Sequence, residues 1–551
     1  MYLTQTKEWH ALQKHYQEMM HVHMRELFSE NPRRCEAFYL EAAGLCLDYS
    51  KNRITAHTIE LLIRLAEARE VTSQIESLFI GEAVNCTERS AALHTALRNL
   101  GEKPVYVNHQ NIMPMIKTVW EKMALWIDQI VRGEYKGYSG KCISDVVNIG
   151  VGGSDLGPMM AYHALKPYAC KTLRCHFVSN QDQFHLFEIL SNINPETTLF
   201  IITSKSFSTK ETIDNANLAK QWLFTSAKYA SLVMRQFIAV TAESDKALRY
   251  GILPEAIFPV WQWVGGRYSV WSAVGLSVAM AIGMDHFKAF LNGAYAMDQH
   301  FRSAPLRNNM PVILALLTIW YNNFFHAQSC AIIPYSQQLL YLPEYLKQLY
   351  MESQGKTMQR NGETVDYATG AIIWGGVGTN SQHSFHQLFL QGNQLSPVDF
   401  ILPLKSYYSE NCQYELVASC LSQSETMMQG YSLEQVLSDL QQQGFAKTAA
   451  EFVAPHKIIH GNYPSNTLLL EKITPYTLGA LLALYEHKVY VQSLIWNINA
   501  FDQWGVERGK KVANEILQNL RQGQWKKNYD ASTQMLIHKI LKLKEEESNV
   551  T

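Results

Sequence analysis

Six hydroxyl side chains fall within ten residues at Thr203-Ser204-Lys205-Ser206-Phe207-Ser208-Thr209-Lys210-Glu211-Thr212. The segment follows Thr198-Leu199-Phe200-Ile201-Ile202, an apolar, β-branched run of the kind that forms a buried strand. Ser208 and Glu211 have capping-box spacing, which predicts a helix start there. Exposed N–H groups and the helix dipole at such a start favour an anion, and hydroxyls add neutral donors. A cap alone uses one or two hydroxyls. On these residues an anion site and a plain capped helix both stand, and a phosphate is the ligand the excess hydroxyls suit.

Other segments carry chemical side chains in suggestive settings. Val146-Val147-Asn148-Ile149 runs into Gly150-Val151-Gly152-Gly153-Ser154-Asp155. The spacing fits neither G-x-G-x-x-G nor a P-loop, because Asp155 occupies the third glycine position and no Gly-Lys-Ser/Thr follows. A tight turn needing small residues or a second anion cradle, with Gly153 and Ser154 as donors, accounts for it. In a doubly wound sheet both loops lie at the carboxyl ends of strands, where they could share one ligand. Arg267 follows two glycines in Gly265-Gly266-Arg267, so its permanent cation can approach an oxyanion or simply make an ion pair at a turn. Glu352 sits at the expected end of a helix from Leu342 to Leu349, where the dipole disfavours a carboxylate. It is either a solvated side chain or a general base. His383 has His386 close by, and Lys510 alone reads as a surface or helix-capping lysine.

The elements that must hold these residues form an α/β pattern. Residues 1–115 read as mostly helical. Residues 116–290 alternate strands at Val146–Ile149, Cys175–Val178, Leu199–Ile202 and Gln236–Val240 with helical stretches, which implies a parallel sheet flanked by helices. Residues 291–515 read as a second α/β unit, with a helix from Val312 to Phe325 and strands at Ser329–Ile333 and Ala371–Trp374. Residues 516–551 form a C-terminal arm, with an amphipathic helix from Met535 to Leu543 and a solvated tail from Lys544. A net charge of −1 argues against a dedicated nucleic-acid or membrane-surface binder. Nine scattered cysteines without a C-x-x-C pair fit a reducing compartment. There is no apolar signal core at the start, and the longest apolar run is too short to cross a bilayer. A cytoplasmic protein is the expectation.

In order along the chain, Val147–Pro158, Ser204–Thr212, Trp263–Ser269, Met351-Glu352-Ser353, Gly378–His383, Leu484–Lys488 and Asp502–Glu507 resemble the glucose-6-phosphate isomerase (phosphoglucose isomerase) family. The likeness runs from about Leu47 to Lys510. It implies two sugar-isomerase (SIS) domains, each a three-layer αβα sandwich, with helical arms at both ends. It also implies interconversion of glucose 6-phosphate and fructose 6-phosphate in glycolysis and gluconeogenesis, no metal or organic cofactor, and a homodimer with shared active sites. By the same resemblance Glu352 moves a proton between C1 and C2, and Arg267 stabilises the cis-enediolate. His383 assists ring opening from across the subunit boundary, and Lys510 acts near the ring oxygen. Gln348 and Gln503 contact substrate. Gly153, Ser154, Ser204, Lys205 (through its backbone), Ser206, Thr209 and Thr212 hold the phosphate, leaving Ser208 as the helix cap. The chain departs from the family pattern at Ser90 and Gln262, where Arg and an acidic residue are usual, at Gln354 and Leu390, and at the pairs Gln183-Phe184 and Gly376-Val377. Two other readings stay open: a sugar-phosphate-binding regulator without catalysis, disfavoured by the intact Glu352, Arg267, His383 and Lys510, and an added secreted role.

Overall fold

Val146, Val147, Ile149 and Leu199–Ile202 are all buried, which requires both faces of their sheet to be covered. In the computed structural model they lie in a five-stranded, wholly parallel sheet. Its order is Arg174–Val178, Asp145–Gly150, Thr198–Thr203, Phe237–Thr241, Ile257–Pro259. The chain leaves the Asp145–Gly150 strand toward one neighbour and returns on its other side. The crevice at that reversal lies outside the carboxyl ends of the strands. Gly150 pairs with Thr203, so the glycine loop and the hydroxyl loop leave the sheet side by side.

A second sheet has six strands: Tyr39–Ala42, Leu45–Asp48, Ser465–Leu470, Val398–Pro403, Ser329–Pro334 and Ile372–Gly375. The last four are mutually parallel. The first two form an antiparallel hairpin whose second strand runs antiparallel to Ser465–Leu470. The N-terminal segment therefore supplies sheet as well as helix. Both sheets are flanked by helices, which is the α/β class expected.

The structure describes residues 2–101, 103–227, 230–523 and 529–548. It forms two units, Met1–Phe501 and Asp502–Thr551. Inside the first, the helix Pro475–Ile495 starts on a Thr474/Thr477 capping box and is buried on every side. It packs on the helix Met284–Ser303 at backbone distance. A Cβ on Gly479 would meet the Phe290 carbonyl oxygen at 2.0 Å, and one on Gly293 would meet that of Tyr476 at 1.8 Å.

Several boundaries differ from the sequence expectation. The helix Met310–Ile319 passes into a π-helical turn at Trp320–Phe324 rather than continuing as α-helix. The helix carrying Glu352 extends to Gln354. The C-terminal helix spans Ala531–Ser548, so Lys544–Ser548 continues the helix instead of trailing off. No described helix is long and apolar enough to cross a membrane.

Candidate active site

Three loops meet at the switch point of the first sheet. The first is the 3-10 turn Gly152–Ser154. Asn148 is the one polar residue of its strand's apolar run, and its Nδ2 donates to the Ser154 carbonyl at 3.0 Å. Asn148 Oδ1 accepts from Thr203 Oγ1 at 2.9 Å, which fastens the glycine loop to the neighbouring strand. Sequence reasoning passed over Asn148, although a buried amide before a glycine run was the available signal. Asp155 is buried, its carboxyl is pushed up to about 6 by burial, and its Oδ1 has no hydrogen-bond partner among the described residues.

The second is the hydroxyl loop. Its helix starts at Lys210, with Thr209 as N-cap and no side-chain capping bond. This corrects the Ser208 assignment: Ser208 Oγ donates to Ser206 Oγ at 2.9 Å instead of capping the helix. Phe207 turns the chain in the left-handed region at φ 45° with its ring buried, which places the helix start one residue later. Ser204 Oγ donates to Thr209 Oγ1 at 3.1 Å. Thr212 is 1% exposed, and its Oγ1 has no partner among the described residues. The Lys205 ammonium donates to the Gln262 and Val264 carbonyls at 2.8 and 3.1 Å, and burial pushes its pKa down.

Those two carbonyls belong to the third loop, which ends in Gly265-Gly266-Arg267. Gly153 and Gly266 touch through their backbones: a Cβ on Gly153 would stand 2.1 Å from the Gly266 carbonyl. Arg267 is buried at 3% exposure. Its Nε donates to Ser353 Oγ at 2.7 Å, its Nη2 donates to the Ala500 carbonyl, and its Nη1 lies 3.2 Å from Glu352 Oε2. Glu352 also accepts from Gln348 Nε2 at 3.1 Å, one helical turn back. Gln348 Nε2 would be 3.0 Å from a Cβ on Gly152, and Gln348 Oε1 is buried without a partner among the described residues. The Glu352 side chain is 27% exposed, so its carboxylate is open on one side and held by a cation on another.

The structure thus brings together Gly153, Arg267, Gln348 and Glu352. It joins Ser204, Lys205, Ser206 and Thr209 in one loop, which Lys205 ties to the arginine turn. His383 ends the helix Gly378–Gln382, is exposed, and its ring makes no hydrogen bond or ion pair among the described residues. His386 is the structural one of the pair. It is buried between Ser381 Oγ and Gln423 Oε1, each at 3.0 Å, and burial lowers its pKa. Gln503 and Lys510 belong to the second unit. Both are exposed there, and Lys510 pairs with Glu507 at 2.8 Å in the first turn of the helix Glu507–Gln522.

A carboxylate open to a ligand, a buried guanidinium beside it, and a neighbouring loop of donors is a site for moving a proton next to a developing oxyanion. The family model of phosphoglucose isomerase matches residues 48–537. The chain belongs to the phosphoglucose isomerase family. Glucose-6-phosphate isomerase of Coxiella burnetii (strain RSA 493 / Nine Mile phase I) is 53% identical over 544 residues, 99% of each protein. That of Shewanella baltica (strain OS223) is 48% identical over 537 residues, covering 97% of this chain and 98% of the relative. The crystal structure of a glucose-6-phosphate isomerase from Chlamydia trachomatis superposes with a TM-score of 0.84 at 30% identity, covering 97% of this chain and 99% of that one. Family membership thus extends over both units.

Proposed function

We propose that this enzyme interconverts glucose 6-phosphate and fructose 6-phosphate, a step of glycolysis and gluconeogenesis, through ring opening and a cis-enediolate. The observation that carries the reading is the Arg267–Glu352 pair, with Nη1 and Oε2 3.2 Å apart against the Gly152–Gly153 loop. In the open-chain aldose Glu352 takes the proton from C2, and the electron pair moves into the enediolate. Arg267 meets the charge that develops on oxygen, and the acid form of Glu352 returns the proton to C1. His383 and Lys510 serve ring opening and closing, and Gln348 and Gln503 hold the sugar. Gly153, Ser154, Ser204, the Lys205 backbone, Ser206, Thr209 and Thr212 anchor the phosphate. The exposed ring of His383 suits a homodimer in which it acts in the partner's site. A cytoplasmic location and the four-part division at about residues 115, 290 and 515 complete the proposal.

A coupled assay of fructose 6-phosphate conversion with chelator present tests it. Turnover is expected, and none at micromolar enzyme would overturn the assignment. Thr212→Val probes the phosphate end. The substitution removes a buried hydroxyl that lacks a partner among the described residues, so thermal stability should hold or rise slightly. The KM for fructose 6-phosphate should rise about tenfold or more, the worth of one hydrogen bond to a charged group. An unchanged KM would take Thr212 out of the phosphate pocket.

A further inference from the structure

Arg267 and Tyr268 on one loop face Glu352 and Ser353 on the last turn of a helix, and the four side chains are linked in series from Glu352 through Arg267 and Ser353 to Tyr268. Arg267 meets Glu352 at 3.2 Å and Ser353 at 2.7 Å, and Ser353 Oγ lies 3.0 Å from Tyr268 Oη. We propose that Ser353 and Tyr268 are positioning residues that fix the plane of the Arg267 guanidinium against Glu352. The proposal rests on the isomerase reading of this site and deepens it.

A guanidinium has its donors in fixed directions in one plane. Bonds from two of its nitrogens to two separate acceptors therefore fix that plane. For Arg267 these are Nε to Ser353 Oγ and Nη2 to the Ala500 carbonyl. Both acceptors are neutral, so they orient the cation without neutralising it. A cation held in this orientation can meet a developing oxyanion.

Ser353 is fully buried. A helical serine commonly bonds back to a carbonyl in its own helix. This one reaches across to two groups of another loop. Because Arg267 Nε is a donor only, Ser353 Oγ accepts there, and its remaining bond is to the Tyr268 phenol. Tyr268 is itself immobilised. It is buried at 1% exposure and stacks on the His94 ring, with centroids 4.7 Å apart and planes inclined by 29°. It also packs on Phe501 at 5.4 Å. Burial raises its pKa and keeps the phenol neutral. The Tyr345 hydroxyl donates to the Arg267 carbonyl at 3.3 Å, which pins the backbone as well. Neither Ser353 nor Tyr268 carries charge the reaction needs; what they supply is direction.

The test uses Ser353→Ala, Tyr268→Phe and the double variant in the full-length chain. Each single variant should lower kcat about tenfold to hundredfold with KM within about twofold, the scale of a misplaced catalytic group. The double variant should be no slower than Ser353→Ala, because both substitutions break one relay. The independent readout is the Nε–H resonance of Arg267 in arginine-labelled resting protein. It should be protected from exchange in the parent chain and lost in Ser353→Ala. That signal needs no turnover, so an inactive parent with a protected Nε–H would overturn the isomerase reading and leave the positioning role intact. Parental kcat in Ser353→Ala, or an unchanged Nε–H signal in it, would overturn the positioning role. So would losses in the two single variants that simply multiply in the double.

Discussion

Glu352→Gln is expected to lower kcat for isomerisation by about 10²- to 10⁴-fold or more, the range supplied by a positioned general base. The replacement keeps the shape and can keep the bond from Gln348 Nε2, which lies 3.1 Å from the carboxylate. Arg267 stays anchored by Ser353 and Ala500. What is lost is the lone pair that takes the proton. Calorimetric titration with a non-reacting sugar-phosphate analogue should give a Kd within a few-fold of the parent chain, since the phosphate loops are untouched. Turnover near the parent rate would remove Glu352 from the proton path. Loss of binding together with turnover would mean that the carboxylate holds the sugar rather than reacts with it.

Arg98→Met should give the largest loss of stability. Arg98 is fully buried and donates to Asp298 through Nε at 2.8 Å and Nη2 at 2.7 Å. Its Nη1 donates to Glu486, whose other oxygen accepts from Trp271 Nε1 at 2.8 Å. The Trp271 ring lies 4.6 Å from the guanidinium. Without Arg98 two buried carboxylates lose the cation they share, at a cost of about 3–5 kcal/mol. The loss has a pH signature. Burial pushes Glu486 up to about 7 from an ordinary value of 4.5, with Arg98 working against the rise. A carboxyl raised in the folded state contributes stability below its unfolded pKa, and that contribution disappears as pH climbs through the folded pKa. Removing the opposing cation raises Glu486 further, so the variant should fall further behind the parent chain at pH 8 than at pH 6. Asp298 is held below 3.8 in the parent chain chiefly by Arg98 against its burial, so losing the cation raises it as well and adds to the deficit in the same direction. Thermal melts at the two pH values decide the matter. An equal deficit at both would mean that losing Arg98 leaves the titration of these carboxyls between the two pH values unchanged.

The elements that sequence patterns disclosed are those whose reason for existing is local. The strands at 145–150 and 198–203 are runs of apolar, β-branched residues buried on both faces, and each ends where the hydrogen-bonding residues begin. The hairpin Tyr39–Asp48 escaped notice because its strands are four residues long and one of them is only partly buried. Its place in the sheet depends on a partner strand in the far half of the chain. Ser208 illustrates a spacing that matched for the wrong reason. Its hydroxyl and the buried, left-handed Phe207 set the loop so that the helix begins one residue later. In the site, the types of Glu352 and Arg267 were readable, and their pairing was not, because it joins residues 85 positions apart. Ser353 and Tyr268 were in view within their motifs, yet nothing in a list of neighbours along the chain shows that they meet.

The N-terminal hairpin has a consequence for how the chain is made. Leu45–Asp48 pairs with Ser465–Leu470, and Asn52 hydrogen-bonds the Ser465 carbonyl 413 residues later. At a synthesis rate of about 5–20 residues per second, the hairpin leaves the ribosome roughly 20–80 s before the strand it must join. Through that interval its inner edge is an open row of backbone donors and acceptors, the kind of edge that recruits other chains. The first sheet, whose strands all lie between residues 145 and 259, has no such wait. It can close while the second sheet still lacks its central strands. The half that carries the glycine and hydroxyl loops is thus born early. The sheet completed from both ends of the sequence is born last, and the nascent chain is most vulnerable to misassembly in between.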